Sequence, residues 1–227
     1  MIFYPEWFGS LWIQAAWLPL ILLLGMTARR ALAAIQQYRT AAALAVMLLA
    51  TAWSLTATTD SGTLAGISYH LLAVNLAALM LGAPAVCWIA ALLMLPYVWL
   101  HTGSLATYPL NTLLLLLPPL AVNLTARYCV NRLPPNIFIF IFLNGFLASA
   151  AGIVFTGLLL TAFLSVGSGF ADGGLWGNAF PVFFLIAWAE AFLSGIATAI
   201  FIALKPQWIS TFDDNRYLKR QNRIWQD

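Results

Sequence analysis

The sequence predicts an all-α, polytopic membrane protein of about seven transmembrane helices, with the N-terminus outside and the C-terminus in the cytoplasm. Of its 227 residues, 63% are hydrophobic and only 7% are charged, whereas soluble domains carry roughly 25% charged residues. The apolar stretches are too long and too numerous to fill one soluble core. Lipid is therefore the expected solvent for most of the chain, and the inner membrane is the expected location.

Seven apolar runs approach the roughly 20 residues that a helix needs to cross the bilayer. The segment Gly82-Ala83-Pro84 divides a nearly continuous run from Leu64 to His101, because glycine and proline mark a tight turn. The long run that begins near Asn136 is expected to tilt or to break at Gly145 or Gly152. The predicted spans are 10–27, 41–58, 64–82, 84–101, 107–126, 137–164 and 181–204.

The basic residues support this topology. With an external N-terminus, all of them fall on one side of the membrane, which must be the cytoplasm because short cytoplasmic loops carry the Lys and Arg excess. Six spans would divide them between the two faces. The net charge of +3 therefore reflects topology, and no nucleic-acid partner is expected, since that needs basic residues clustered on one exposed face. The basic residues are Arg29, Arg30, Arg39, Arg127, Arg132, Lys205, Arg216, Lys219, Arg220 and Arg223.

One transmembrane domain is predicted over residues 1–205, followed by a short charged cytoplasmic tail over 206–227. The first apolar run is preceded by Glu6 and by no Lys or Arg, so we expect a retained helix and not a cleaved signal peptide. The tail is suited either to binding lipid head groups or to contacting a cytoplasmic partner.

Ionisable groups at membrane depth are costly, so each is a candidate for function. His70 lies inside the predicted third span, and His101, Glu6 and the Met1 amine share its outer half of the protein. Imidazole, amine and carboxylate are ligands that suit nickel, cobalt, copper or zinc. His70 is equally compatible with a structural hydrogen-bonding role. Buried amides are expected at Asn75, Asn111, Asn123 and Asn144.

Glu190 lies near the middle of the last predicted span. No Lys or Arg occurs in any predicted span to pair with it, so the carboxyl group needs an amide, a hydroxyl or water as its partner. Two interpretations remain open for this residue. It is either a structural polar clamp between helices or a member of a transport path.

Catalytic patterns are missing from the sequence, and we do not expect an enzyme. There is no nucleophile elbow, no P-loop, no zinc-protease helix motif and no CxxC pair. Because no nucleotide-binding signature is present either, transport against a gradient would need another subunit or an ion gradient to drive it.

Short motifs in four places carry a family resemblance. The run Gly66-Ile67-Ser68-Tyr69-His70-Leu71-Leu72 is followed by Leu79-Met80-Leu81-Gly82-Ala83-Pro84, and further on come Pro109-Leu110-Asn111 and Ala189-Glu190-Ala191. These segments resemble the substrate-binding component of cobalt and nickel energy-coupling-factor transporters, the CbiM/NikM-type family. The resemblance extends from about Gly66 to Lys205 and includes the span count and the external N-terminus.

The resemblance implies a metal site built from the N-terminal amine of Met1, a histidine directly after Met1, and His70. The second residue here is Ile2, so one imidazole of that set is lost. Either the metal differs or binds more weakly, or His101 or Glu6 substitutes, or this chain has another substrate. Asn111 and Glu190, together with Glu6, are assigned to supporting the ligands or lining the metal's path.

The function that the resemblance implies is capture of a cobalt or nickel ion for import. The ion would be the substrate, and no resident cofactor is expected. By the same analogy, the partners besides membrane lipids are a transmembrane coupling protein and two cytoplasmic ATPases. The alternative is a membrane scaffold or assembly protein that binds no small ligand, and the loss of the second-position histidine favours it.

Overall fold

The protein folds as a bundle of helices with one small pair of strands. The computed structural model describes residues 2–58, 68–167 and 175–217. Within these residues, five helices are long and apolar enough to cross a membrane, and one shorter helix of 10–17 residues is also apolar. The helices are α1 (Ser10–Gln37), α2 (Arg39–Ser54), α3 (Val74–Leu81), α4 (Ala83–Thr102), α5 (Tyr108–Val130), α6 (Ile137–Val166) and α7 (Leu175–Leu204).

Short elements flank or connect these helices. Strands β1 (Ala57–Thr58) and β2 (Ser68–Tyr69) pair antiparallel. Single 3₁₀ turns span Pro5–Trp7 and Pro206–Trp208, and a last short helix, α8 (Asp214–Tyr217), lies beyond α7. Strand β2 has the greatest bearing on function, because it leads directly into the segment that carries His70.

The all-α, multi-pass membrane class predicted from the sequence is confirmed. The five long helices have the length and hydropathy of transmembrane spans. The first predicted span, 10–27, ends too early, because α1 continues to Gln37 and includes Arg29 and Arg30. Long arginine side chains near a helix end can reach the head-group region while their stems stay in the apolar layer, so these charges do not end the helix. The number of crossings and their direction stay predictions.

The third predicted span is wrong. A continuous helix over 64–82 is expected from the apolar run, but α3 contains only eight residues, Val74–Leu81, and residues 70–73 before it are not helical. Residues 64–67 of this span lie outside the described residues. His70 therefore lies in extended backbone between β2 and α3, and not one and a half turns into a helix. Irregular backbone at this depth is tolerated where other protein groups satisfy its polar atoms, and side chains from α2 and α7 do so here.

The tight turn predicted at Gly82-Ala83-Pro84 is confirmed. α3 ends at Leu81 and α4 begins at Ala83, with Gly82 alone between them. Gly82 has a φ of 83°, which residues with a side chain adopt only at a cost. All eight residues of α3 are buried, so this short helix is surrounded by other helices of the bundle.

The irregularity predicted for the long run after Asn136 takes the form of a π-helix. α6 is wound as a π-helix over Phe140–Leu147, which includes Gly145, and then continues as an α-helix through Gly152. A Cβ atom on Gly145 would come within 3.0 Å of the Thr198 hydroxyl oxygen and 3.4 Å of the Gly195 Cα atom on α7. The glycine therefore permits the close approach of α6 and α7.

The chain after α7 folds back against the bundle as far as the structure describes it. The backbone N–H of Ser210 donates to the Met80 carbonyl at 3.0 Å, and the Thr211 hydroxyl donates to the Leu79 carbonyl at 2.8 Å. The Arg216 guanidinium donates to the Asn131 carbonyl at 2.7 Å. The C-terminal ends of α3, α5 and α7 therefore lie at one end of the bundle.

Candidate metal site

His70 is the only predicted imidazole ligand that the bundle buries, with 3% of its surface exposed. Its Nδ1 atom lies 2.8 Å from the Leu71 carbonyl oxygen. A carbonyl can only accept, so Nδ1 carries the proton, and in the neutral form of the ring the lone pair is on Nε2. A hydrogen bond from one ring nitrogen to a backbone carbonyl is also what orients most histidines that bind metals. Nε2 is therefore the atom of His70 that is suited to a metal ion.

The backbone beside His70 is held by Glu190 on α7. The carboxylate of Glu190 accepts from the Leu72 N–H at 3.0 Å and from the Ala73 N–H at 2.7 Å. Both of its oxygens are engaged, and the side chain is buried. Glu190 thus takes the place of the helical carbonyls that these N–H groups would otherwise use.

Trp53 on α2 binds the same stretch of backbone as Glu190. Its indole N–H donates to the Leu72 carbonyl at 3.0 Å, and its ring centroid lies 6.2 Å from that of His70. Ala73, the residue before α3, has a φ of 54° and is the single described residue besides glycine with a positive φ. Such backbone is strained for alanine and persists only when its surroundings fix it. Glu190 and Trp53 supply that fixation.

The ring of Tyr97 on α4 contacts both histidines. Its centroid lies 5.4 Å from that of His70, in an edge-to-face arrangement, and 4.4 Å from that of His101. His101 is exposed, and its Nδ1 atom lies 2.8 Å from the Tyr97 carbonyl. Both histidines therefore pack against the same tyrosine ring.

The N-terminal segment is inserted into the bundle. Phe3 is 1% exposed; its N–H donates to the Asn111 side-chain oxygen at 2.8 Å, and its carbonyl accepts from the Asn111 amide at 3.1 Å. The Thr107 hydroxyl donates to the same carbonyl at 3.0 Å. Asn111 thus pairs with both polar groups of Phe3, as a neighbouring strand would. Its position explains why this amide is buried.

The remaining predicted site residues are located only in part. Met1 lies outside the described residues. The backbone of Glu6 lies in the 3₁₀ turn Pro5–Trp7, and its side chain lies outside what the structure describes.

Sequence reasoning missed Trp53, Tyr97 and Thr107. In a chain that is 14% aromatic, nothing in the composition distinguishes an aromatic side chain beside the histidines from one in contact with lipid. Thr107 could not be singled out either, because threonine is common at the start of helices. Spacing could not reveal these contacts, since they connect α2, α4 and α5 to loops far away in the chain.

No conventional metal cluster is found over residues 2–58, 68–167 and 175–217. No three His, Cys, Asp or Glu side chains lie together there in a way that could hold an ion. An ion at His70 would therefore need ligands of another type, such as an amine, a backbone group or water.

Comparison with known protein families identifies a match over most of the chain. The family model described as the cobalt uptake substrate-specific transmembrane region, CbiM, matches residues 3–208. No match was found among curated proteins or among solved structures. The match confirms the resemblance seen around His70 and indicates a transport component and not an enzyme class. The chain belongs to the cobalt uptake substrate-specific transmembrane region family.

Proposed function

We propose that this member of the cobalt uptake family is the substrate-capture subunit of an energy-coupling-factor importer, with cobalt or nickel as its ion. Family membership supports uptake of cobalt through a substrate-specific membrane component. The observation that carries the proposal is the fixed position of His70: Glu190 and Trp53 bind the backbone beside it, and the Tyr97 ring packs against it.

The ligands that we assign are Nε2 of His70 and the amine of Met1. His101 is a further candidate, because its Nδ1 hydrogen bond leaves Nε2 as the lone-pair atom. Asn111 and Glu190 position the ligands and do not bind the ion themselves. Asn111 binds the backbone of the N-terminal segment, and Glu190 binds the backbone next to His70. Glu6 stays a candidate to support the ligands or the path of the ion.

We further propose seven crossings with the N-terminus outside, in which β2, residues 70–73 and α3 together replace one conventional span. The tail contacts support this arrangement, since they bring the C-terminal ends of α3, α5 and α7 to one side. All described basic residues belong to segments near that side or to α1 and α2, and the positive-inside rule then makes it the cytoplasm. Residues 1–205 form the transmembrane domain and 206–227 the tail, in the inner membrane.

Partners must supply the energy for uptake in this proposal. The sequence carries no nucleotide-binding signature, so a transmembrane coupling protein and two cytoplasmic ATPases are the expected companions. Co-purification from the native membrane tests this part: ATPase subunits should accompany the chain. Their consistent absence would count against the energy-coupling-factor assignment without affecting the metal site.

Metal binding by the detergent-purified protein with its native N-terminus tests the site. We expect saturable one-to-one binding of cobalt or nickel in the wild type, and its loss in His70→Ala. His101→Ala is the matched imidazole deletion and shows whether the exposed histidine contributes. Unchanged affinity in His70→Ala would overturn the ligand assignment, and no binding of any tested ion by the wild type would favour the scaffold alternative.

A further inference from the structure

Two buried hydroxyl groups beside His70 have no hydrogen-bond partner among the described residues. They belong to Ser68 on β2, which is 3% exposed, and to Tyr97 on α4, which is 7% exposed. A buried hydroxyl without a partner is costly, and native proteins rarely keep one without a reason. Two of them in the neighbourhood of one imidazole indicate that something else at this place accepts or donates hydrogen bonds.

The residues that carry these two hydroxyls are placed next to His70 by the chain and by packing. Side chains alternate along an extended segment, so Ser68 and His70 point the same way and Tyr69 points the other way. The ring contacts agree with this alternation: Tyr69 packs on Phe183 of α7 at 5.6 Å, whereas His70 packs on Trp53 and Tyr97. Ser68 therefore shares the face of the extended segment that carries His70, and the Tyr97 ring packs against the imidazole from α4.

The chemistry of these groups favours water over direct metal ligation. A neutral phenol or serine hydroxyl is a weak ligand, but it accepts hydrogen bonds well from a water molecule polarised by a metal ion. Nitrogen ligands are also few here, because the second residue is the buried and apolar Ile2. An ion held by His70 and the N-terminal amine would retain water to complete its coordination shell.

We propose that the hydroxyls of Ser68 and Tyr97 hold water molecules that the captured ion keeps, so that the site takes a partly hydrated divalent cation. This inference rests on the proposed function and specifies the form of its substrate. A shell of two nitrogens and several waters is six-coordinate, which cobalt(II) accepts readily, whereas nickel(II) and copper(II) gain most from planar sites rich in nitrogen.

The test compares Tyr97→Phe and Ser68→Ala with Tyr69→Phe. The Tyr69 hydroxyl is also buried without a partner among the described residues, but its ring faces Phe183, so it is a matched control. Cobalt(II) chloride is titrated calorimetrically into each purified protein with its native N-terminus. We expect affinity to fall roughly 10- to 100-fold in the two site variants, as for other residues that support metal ligands, and to stay at the wild-type value in the control.

Thermal unfolding without metal separates this role from a structural one. Because each variant removes an unsatisfied buried hydroxyl, the metal-free protein should be as stable as the wild type or more so. Weak visible absorption of the bound cobalt, as for six-coordinate ions, supports retained water; the intense absorption of four-coordinate cobalt would overturn it. Wild-type affinity in both site variants, with binding lost in His70→Ala, would overturn this inference alone. Failure of the wild type to bind cobalt would overturn it together with the proposed function.

Discussion

The two ends of α3 are held in different ways by the same part of the chain. At its beginning, the Glu190 carboxylate on α7 accepts from the N–H groups of Leu72 and Ala73. At its end, the chain that continues α7 donates from Ser210 and Thr211 to the carbonyls of Met80 and Leu79. At the beginning, both N–H groups depend on one buried carboxyl group, whereas the end is held by several bonds from backbone and hydroxyl groups. Substitutions at the beginning of α3, next to His70, should therefore lower stability and metal binding more than substitutions at its end.

The largest effect is expected for Glu190→Ala. Two buried N–H groups lose their acceptor, which should lower the free energy of unfolding by about 3 kcal/mol or more, and the His70 segment should lose its fixed position. The affinity for cobalt should fall as well, because His70 is then no longer held in place. Glu190→Gln keeps one acceptor oxygen and should lose less. Thermal unfolding and metal titration of both variants in detergent measure the losses of stability and affinity. Equal stability of Glu190→Ala and wild type would show that Glu190 does not hold this backbone.

Replacing Asn111 with alanine should act on the other anchored segment. The Phe3 backbone loses two hydrogen bonds to this side chain, and we expect a loss of about 1–3 kcal/mol in stability. Release of the N-terminal segment should also speed labelling of the terminal amine by an amine-reactive reagent. Asn215→Ala in α8, which is exposed, is the control. Labelling rates that match between Asn111→Ala and this control would show that Asn111 does not hold the segment.

Thr211→Val tests the end of α3 that we expect to be tolerant. The change keeps the shape of the side chain and the backbone bonds, and it removes only the hydroxyl that donates to Leu79. A stability loss of about 1 kcal/mol is expected, with unchanged cobalt affinity. An affinity loss as large as that of Glu190→Gln would show that the two ends of α3 are coupled to the metal site equally.

The smallest effect is expected at Ala73. Its φ of 54° costs roughly 1–2 kcal/mol for a residue with a Cβ atom, and glycine removes that cost but adds its own entropic one. Ala73→Gly should therefore be neutral or stabilise by under about 1 kcal/mol, seen as a small rise in melting temperature. A clear destabilisation would mean that the Cβ atom makes packing contacts that outweigh the strain.

The sequence predicts the membrane class and the turn at Gly82 because both depend on local composition. It fails at the third span because hydropathy analysis assumes that a buried backbone must satisfy its own hydrogen bonds. Here the acceptor for Leu72 comes from Glu190, 118 residues away, and no periodicity reports such a pairing. His70 was found because it is ionisable in an apolar run, whereas Ser68 and Tyr97 carry no comparable signal.

The insertion of the N-terminal segment affects how the protein can be produced. Ile2 and Phe3 are buried, and Phe3 is bonded on both of its polar backbone groups. A purification tag fused ahead of Met1 would extend this buried segment, and it would convert the terminal amine, a ligand in the proposed site, into an amide that no longer offers a lone pair to a metal. Recombinant protein should therefore carry its tag at the C-terminus, which leaves the hydrogen bonds between Asn111 and Phe3 undisturbed.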